Sequence, residues 1–296
     1  MIYIRLRGRA GNQLFIYALA RSLNLKYQQP VTICTRIDDK RDLKFKSFNN
    51  DLLEFNISND IVFDNQFKFP WYANNDFLLI KFFRKFMPSM VFSILSRFNV
   101  FLWLKESYKE INISTSKDAY IDGFWQSEKY FSDNISQIRH CDFLMKKGIR
   151  KENHHFLKEI EENESVCVTI RRGDYLSNES IKRKYYVCDE HYFKKAMKIM
   201  KKIIPNAKFV FFSDDISWVK NNIEAPEGSI FETGNDTVAE KLYLMSKCKY
   251  FILSNSSFSW WAQELCDNSS KVVISPKYWY KDKRKCDIYN EGWILL

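Results

Sequence analysis

Two adjacent arginines, Arg171 and Arg172, followed by Gly173 and Asp174, are the residues in this chain best suited to hold an anion. Their planar guanidinium forks match phosphate oxygens in pairs. Gly173 lets the backbone turn or come close to a ligand, and Asp174 can pair with one arginine and hold the geometry of the other. The preceding residues 166–170 are apolar and β-branched, which predicts a buried strand. Ligands of open α/β sheets bind outside the carboxyl ends of strands, so the arginines stand where such a sheet does its chemistry. Taken alone, the fragment fits a solvated strand-end ion pair equally well.

A second anion cradle is written at residues 254–259, Ser-Asn-Ser-Ser-Phe-Ser. It follows the apolar run 250–253 and precedes a helical pattern, so its hydroxyls and backbone N–H groups stand at a helix N-terminus. An ordinary cap needs one serine, and four serines with Asn255 exceed it. Asp214 and Asp215 close another strand, residues 208–213, and suit ribose hydroxyls or guanine N–H groups. They could also bind a metal, but the chain has no D-x-D spacing, which argues against one. Nearer the start, Gly11, Asn12 and Gln13 lie between a first strand, residues 2–4, and a helix ending near Leu25. Two glycines there let the backbone approach a ligand, although amides at a helix start also serve as plain caps. Trp125, Gln126 and Glu128 set an aromatic face beside an amide and a carboxylate, which suits a sugar ring and also suits simple packing.

These residues need elements to position them. After residue 155 strands alternate with helices at 189–202, 217–222, 237–247 and 257–265, the rhythm of a parallel doubly wound domain. The domain boundary is expected near 155, giving units 1–155 and 156–296. Residues 77–104 are apolar but broken by Lys81, Arg84, Lys85 and Arg97, so no membrane span is expected. Their spacing predicts one or two amphipathic helices with Pro88 as a start or kink. Packing into the core is the commoner fate of such a face, and an anionic membrane surface is the alternative.

The formal net charge of +10 implies an acidic partner, and the lysines are too dispersed for a nucleic-acid stripe. Seven cysteines without C-x-x-C spacing suit buried thiols in a reducing compartment, so a cytoplasmic protein is expected. His154 and His155 are adjacent and diverge on a helix, which argues against a shared metal.

Five segments, taken together, resemble the bacterial α1,2-fucosyltransferases of glycosyltransferase family 11. They are Gly11-Asn-Gln-Leu-Phe-x-Tyr-Ala18, Gly123-Phe-Trp-Gln-Ser-Glu-Lys-Tyr-Phe131, Ile170-Arg-Arg-Gly-Asp-Tyr175, Phe212-Ser-Asp-Asp215 and the stretch from Leu244 to Trp261 that ends Asn-Ser-Ser-Phe-Ser-Trp-Trp. The likeness runs from residue 8 to 261, and residues 36–110 carry no matching motif. It implies an α/β fold of two Rossmann-like domains facing a cleft, the GT-B type. The second domain would hold GDP-fucose and the first a galactose-containing acceptor, with no cofactor and no metal.

The resemblance assigns Arg171 to the β-phosphate, with Arg172 supporting it and Asp174 as the acidic partner. Asp214 or Asp215 would contact guanine or ribose, and Ser256, Ser257 and Phe258 would line the pyrophosphate. The family pattern reads His-x-Arg-Arg, and Thr169 stands here in the histidine's place. That histidine helps hold the guanine in related fucosyltransferases, so the departure bears on the base and leaves the phosphate chemistry unaffected. The implied activity is inverting, metal-independent transfer of L-fucose to a galactoside hydroxyl, O2 of galactose. Rival readings are transfer of another deoxysugar from a different nucleotide, and a non-catalytic nucleotide- or lipid-binding protein. For the acceptor's proton, Asp122, Glu128 and Asp174 are the candidate carboxylates. Asp174 beside two arginines is a poor base, which leaves Glu128 best placed to touch a sugar.

Overall fold

The computed structural model describes residues 1–36, 49–75, 77–173 and 179–296. The chain forms two compact units, residues 1–146 with 286–288, and residues 147–285 with 289–296. The division falls ahead of the helix His154–Glu162 rather than at the expected residue 155. Side chains explain the earlier boundary. Arg150 Nε donates to Glu240 Oε2 at 2.7 Å, and the Asn153 amide donates to Asp236 Oδ1 at 2.7 Å and to Glu240 Oε1 at 2.8 Å. These bonds fasten the segment before the helix to the second unit.

The first unit is built on a five-stranded parallel sheet. Its strands are β1 (Ile2–Arg5), β2 (Val31–Cys34), β3 (Ile61–Asp64), β4 (Val100–Trp103) and β5 (Ala119–Gly123). They run in the order β3-β2-β1-β5-β4. The helix Ala10–Tyr27 links β1 to β2 and buries Leu14, Phe15, Tyr17 and Leu23. It begins earlier than its apolar pattern suggests, so Gly11, Asn12 and Gln13 form its first turn.

Two corrections concern residues 77–104. The segment is two helices, Leu78–Phe86 and Pro88–Ser96, followed by β4, a strand the helical spacing concealed. Asn99, at φ 58°, ends the helical run, and its amide donates to Ser114 O at 2.7 Å. The expected burial of the amphipathic face holds for Pro88–Ser96, which buries Val91 and Phe92, and fails for Leu78–Phe86, which has no buried residue. The sheet beneath is already covered by Ile80 and Leu95, which pack on Cys34, Phe69, Val100 and Leu102.

The second unit carries six parallel strands: β6 (Glu164–Ile170), β7 (Ala207–Ser213), β8 (Ile230–Phe231), β9 (Tyr250–Ile252), β10 (Val273–Ser275) and β11 (Ile294–Leu295). Their order β11-β10-β9-β6-β7-β8 is, in units of chain sequence, the Rossmann order 3-2-1-4-5-6 read from the other edge. Val166, Val168 and Ile170 face a core shared with Phe209, Phe211, Phe193 and Met197. Both faces of β6 are covered, which is why its sequence is a continuous apolar run. The order reverses between β6 and β9, where an open α/β sheet leaves its ligand crevice. Both units are therefore parallel α/β sheets with helical crossovers.

At the first sheet the reversal falls between β1 and β5, and a buried ion cluster closes it. Asp122, with no solvent exposure, accepts from Arg7 through Nε and, at 2.8 Å, Nη2; Arg5 Nε lies 3.5 Å away. Burial pushes the Asp122 carboxyl upward, but Arg7 and Arg5 outweigh it and hold its pKa below the ordinary carboxylate value. A lowered folded-state pKa gives stability that is present above the unfolded value, near 3.8, and is lost as pH falls through the folded one. Asp122→Asn should therefore destabilise the chain at neutral pH by about 3–5 kcal/mol, since it leaves buried arginines uncompensated. Denaturant titrations at pH 7 and near pH 3, below the unfolded value, check this: the variant should also lose less stability than the parent on acidification.

Candidate active site

Seven in-register pairs tie β6 to β7, ending at Thr169 opposite Phe212 and Ile170 opposite Ser213. One residue further on, Arg171 lies beside Asp214, and Arg171 Nη1 is 3.0 Å from Asp214 Oδ2. The other carboxylate oxygen of Asp214 accepts the Arg172 backbone N–H at 2.8 Å. Arg172 lies flat on the indole of Trp218, 3.2 Å from the ring centroid, with its Nε 3.7 Å from Asp215. Asp215 also accepts the Trp218 N–H at 3.1 Å, capping the helix Ile216–Asn222. Asp214 thus holds Arg171 through an ion pair; Asp174, also expected to pair with an arginine, lies outside the described residues. Arg171 and Asp214 remain 25% and 23% exposed, so the pair is partly desolvated yet reachable.

Gly173 has a steric reason. A Cβ there would come within 2.5 Å of Asp214 Oδ2, so any larger residue would push the carboxylate away from Arg171.

The strand-end loop is itself held from beneath. The Ser213 hydroxyl donates to Ile170 O at 2.8 Å and accepts the Asp215 N–H at 3.0 Å. The Ser213 N–H donates to Glu232 Oε1 at 2.6 Å, and Lys241 Nζ lies 2.8 Å from Glu232 Oε2. Burial raises the pKa of Glu232, although Lys241 opposes the shift. Nothing in the local sequence around Glu232 or Lys241 marked this brace; it is formed by residues 19 and 28 positions away from Ser213.

On the other side of β6 stands the serine segment. The Ser254 N–H donates to Thr169 Oγ1 at 3.0 Å, and the Ser254 and Ser259 hydroxyls are 3.2 Å apart. Thr169 is buried and its hydroxyl is used in joining the two strand ends. The Asn255 amide donates to Tyr185 O at 2.7 Å and to Trp279 O at 2.9 Å, anchoring the loop from below. Ser256, Ser257 and Phe258 are the half-buried members, at the start of the helix Ser257–Glu264, where Ser256 caps without a side-chain bond. The structure therefore brings Arg171, Arg172, Asp214, Asp215 and residues 256–258 to the carboxyl ends of three neighbouring strands. Thr169 and Asn255 support that group from within. A helix N-terminus and a braced guanidinium converging at a sheet reversal can hold a diphosphate and stabilise charge developing on it.

The first-unit candidates form a separate group. The Gln126 amide donates to Asn12 Oδ1 at 2.5 Å, joining two of them. Gln13 is buried and fully employed: its amide donates to Gly8 O and Asn49 O, and its carbonyl accepts the Asp51 N–H at 2.9 Å. Gly11 is buried within the helix. Trp125, at φ 55°, buries its indole edge-to-face against Tyr130 at 5.4 Å. Glu128 begins a short 3₁₀ turn and is half-buried. Sequence reasoning missed Arg5 and Arg7, although two arginines at i and i+2 off the end of β1 are a legible signal.

If the arginine pair holds a diphosphate, its geometry matters more than its charge. Arg171→Lys should weaken GDP binding about tenfold or more, because a point charge cannot reproduce the fork. Gly173→Ala should do the same through Asp214. Calorimetric titration with GDP checks both, and unaltered affinity in either would refute the assignment.

The comparisons with known proteins agree in kind. The chain is 29% identical to the alpha-1,2-colitosyltransferase of Escherichia coli, over all of this chain and 99% of that one. It is 24% identical to the galactoside 2-alpha-L-fucosyltransferase Sec1 of Mus musculus, over 90% of this chain and 64% of the mouse protein. Among solved structures it is similar to the NodZ alpha-1,6-fucosyltransferase soaked with GDP-fucose, at 15% identity and a TM-score of 0.49, covering 90% of this chain and 92% of that one. The family model for glycosyl transferase family 11 matches residues 1–296, so the chain belongs to that family along its whole length.

Proposed function

We propose that this glycosyltransferase moves L-fucose from GDP-fucose to a galactoside hydroxyl, O2 of galactose, of a surface glycan or oligosaccharide. The observation that carries the reading is the Arg171 guanidinium, held by Asp214 at the sheet reversal beside the Ser256–Phe258 helix start. Membership of family 11 and a fucosyltransferase among the relatives support the sugar. The colitosyltransferase among them supports a second reading, another deoxysugar carried on a nucleotide.

In the proposed reaction the bond from the sugar's anomeric carbon to the β-phosphate oxygen breaks, and GDP leaves with the electron pair. The acceptor oxygen forms the new bond from the opposite face, so a β-linked donor gives an α-linked product. The acceptor's proton passes to solvent late, when the new bond has largely formed. Charge builds on the departing diphosphate, and Arg171 with the amides at residues 256–258 meets it without reorganising. Arg172, fixed over Trp218 and beside Asp215, adds a second cation. The two carboxylates already serve the arginines and the helix cap, which supports a metal-independent reaction. The first unit would take the acceptor through Asn12, Gln126 and Glu128. A cytoplasmic site of action suits a nucleotide-sugar donor.

Four measurements test this. Incubation with GDP-fucose, GDP-colitose, GDP-mannose and UDP- and dTDP-sugars, with a panel of galactosides, should give product from GDP-fucose with an α1,2 linkage. Preference for GDP-colitose would select the second reading, and nucleotide binding without turnover of any donor would end both. Turnover should survive EDTA; a strict Mg²⁺ or Mn²⁺ requirement would make Asp214 and Asp215 ligands instead. Arg171→Ala should lower kcat about 10²–10³-fold, the cost of losing a preorganised donor. Glu128→Gln should raise acceptor KM more than it lowers kcat; a large fall in kcat at unchanged KM would identify Glu128 as the base.

A further inference from the structure

The helix Leu78–Phe86 is turned inside out. At about 100° per residue, Leu78, Phe82, Phe86, Leu79 and Phe83 fall within an arc of about 140°. All five face solvent, with Leu78 79%, Phe82 60% and Phe86 62% exposed. The opposite side holds the helix to the protein: Ile80 packs on the cluster around Val100 and Leu102, and Arg84 donates to the buried Asn75. A helix docked for stability alone shows the reverse pattern. The adjoining helix Pro88–Ser96 extends the open face with exposed Met90 and Ile94, while its Leu95 anchors inward. Trp71 and Tyr72 are exposed nearby in sequence, residue types that favour a membrane–water boundary.

Charge selects the occupant. Residues 77–105 contain Lys81, Arg84, Lys85, Arg97 and Lys105 and no Asp or Glu. Lys81 and Lys85 are exposed and border the apolar arc on one side, where they would meet anionic headgroups while the phenylalanines enter the acyl boundary. No helix of the described residues is long and apolar enough to cross a membrane. We infer that the helix pair Leu78–Ser96 docks this protein on an anionic lipid bilayer as an interfacial, non-spanning anchor.

Flotation of the full chain with phosphatidylcholine vesicles, with and without phosphatidylglycerol, tests the inference. The protein should float with the anionic vesicles at low salt and be released as salt is raised, since exposed charges are screened. Phe82→Ser with Phe86→Ser should weaken binding about a hundredfold, at about tenfold for each aromatic withdrawn from the boundary. Lys81→Gln with Lys85→Gln should weaken it about 25-fold, at roughly fivefold per charge removed. All four side chains are exposed, so both variants should keep the parent's melting temperature and GDP affinity; should the serine pair fold poorly, the charge pair tests the same face. Failure to float at low salt, or unaltered flotation of the charge pair, overturns the inference. So does a concentration-dependent dimer abolished by the serine pair, which would give the face to a second copy.

Discussion

Everything at the candidate site depends on the parallel register of β6 with its two neighbours. Pairing Ile170 with Ser213 on one side, and Val168 with Ile252 on the other, leaves no choice about what stands at the strand ends. Arg171 emerges against Asp214, and Ser254 against Thr169. A slip of one residue would invert every side chain of β6 and put the arginines on the wrong faces. In this register Val166, Val168 and Ile170 share one core with Phe209, Phe211 and Ile252.

The two sheets end in the same kind of ion pair with opposite consequences. Asp122 is wholly buried and answered by two arginines, so its charge is consumed in closing the top of the first sheet. Asp214 is a quarter open and its arginine equally so. An exposed pair contributes at most about 1 kcal/mol to stability, whereas a buried pair broken costs several. The Arg171–Asp214 contact is therefore weak as a structural tie. Its value lies in orientation: the carboxylate grips Arg171 with one oxygen and the Arg172 backbone with the other, and Gly173 leaves the space it needs. The buried brace from Glu232 and Lys241 fixes the loop from which it does so.

The helix pair of residues 78–96 follows a different logic. Elsewhere the molecule covers its apolar faces, as the fully buried Trp260 and Trp261 illustrate. Here Val91 and Phe92 of the second helix, with Ile80, Leu95 and Arg84, anchor the pair, and the apolar arc of the first helix is turned outward beside a cationic edge. Such a surface costs solubility and persists only where something covers it.

The sequence by itself determined the local features: the strand-to-arginine junction at 170–172, the serine-rich helix start and the alternation of the second unit. Each is set by neighbours in the chain, through periodicity, capping and turn chemistry. The family was legible for the same reason, since its motifs are short and contiguous. Tertiary structure alone decided which residues meet. Long-range bonds to Ser254, Tyr185 and Trp279 tie Thr169 and Asn255 into the loop that carries the site. Strand pairing sets Asp214 and Asp215 beside the two arginines. The direction in which residues 78–86 turn their apolar arc was equally hidden. Periodicity reports that a helix has an apolar face, and only the packing of Ile80 and Arg84 against distant residues fixes which way that face looks.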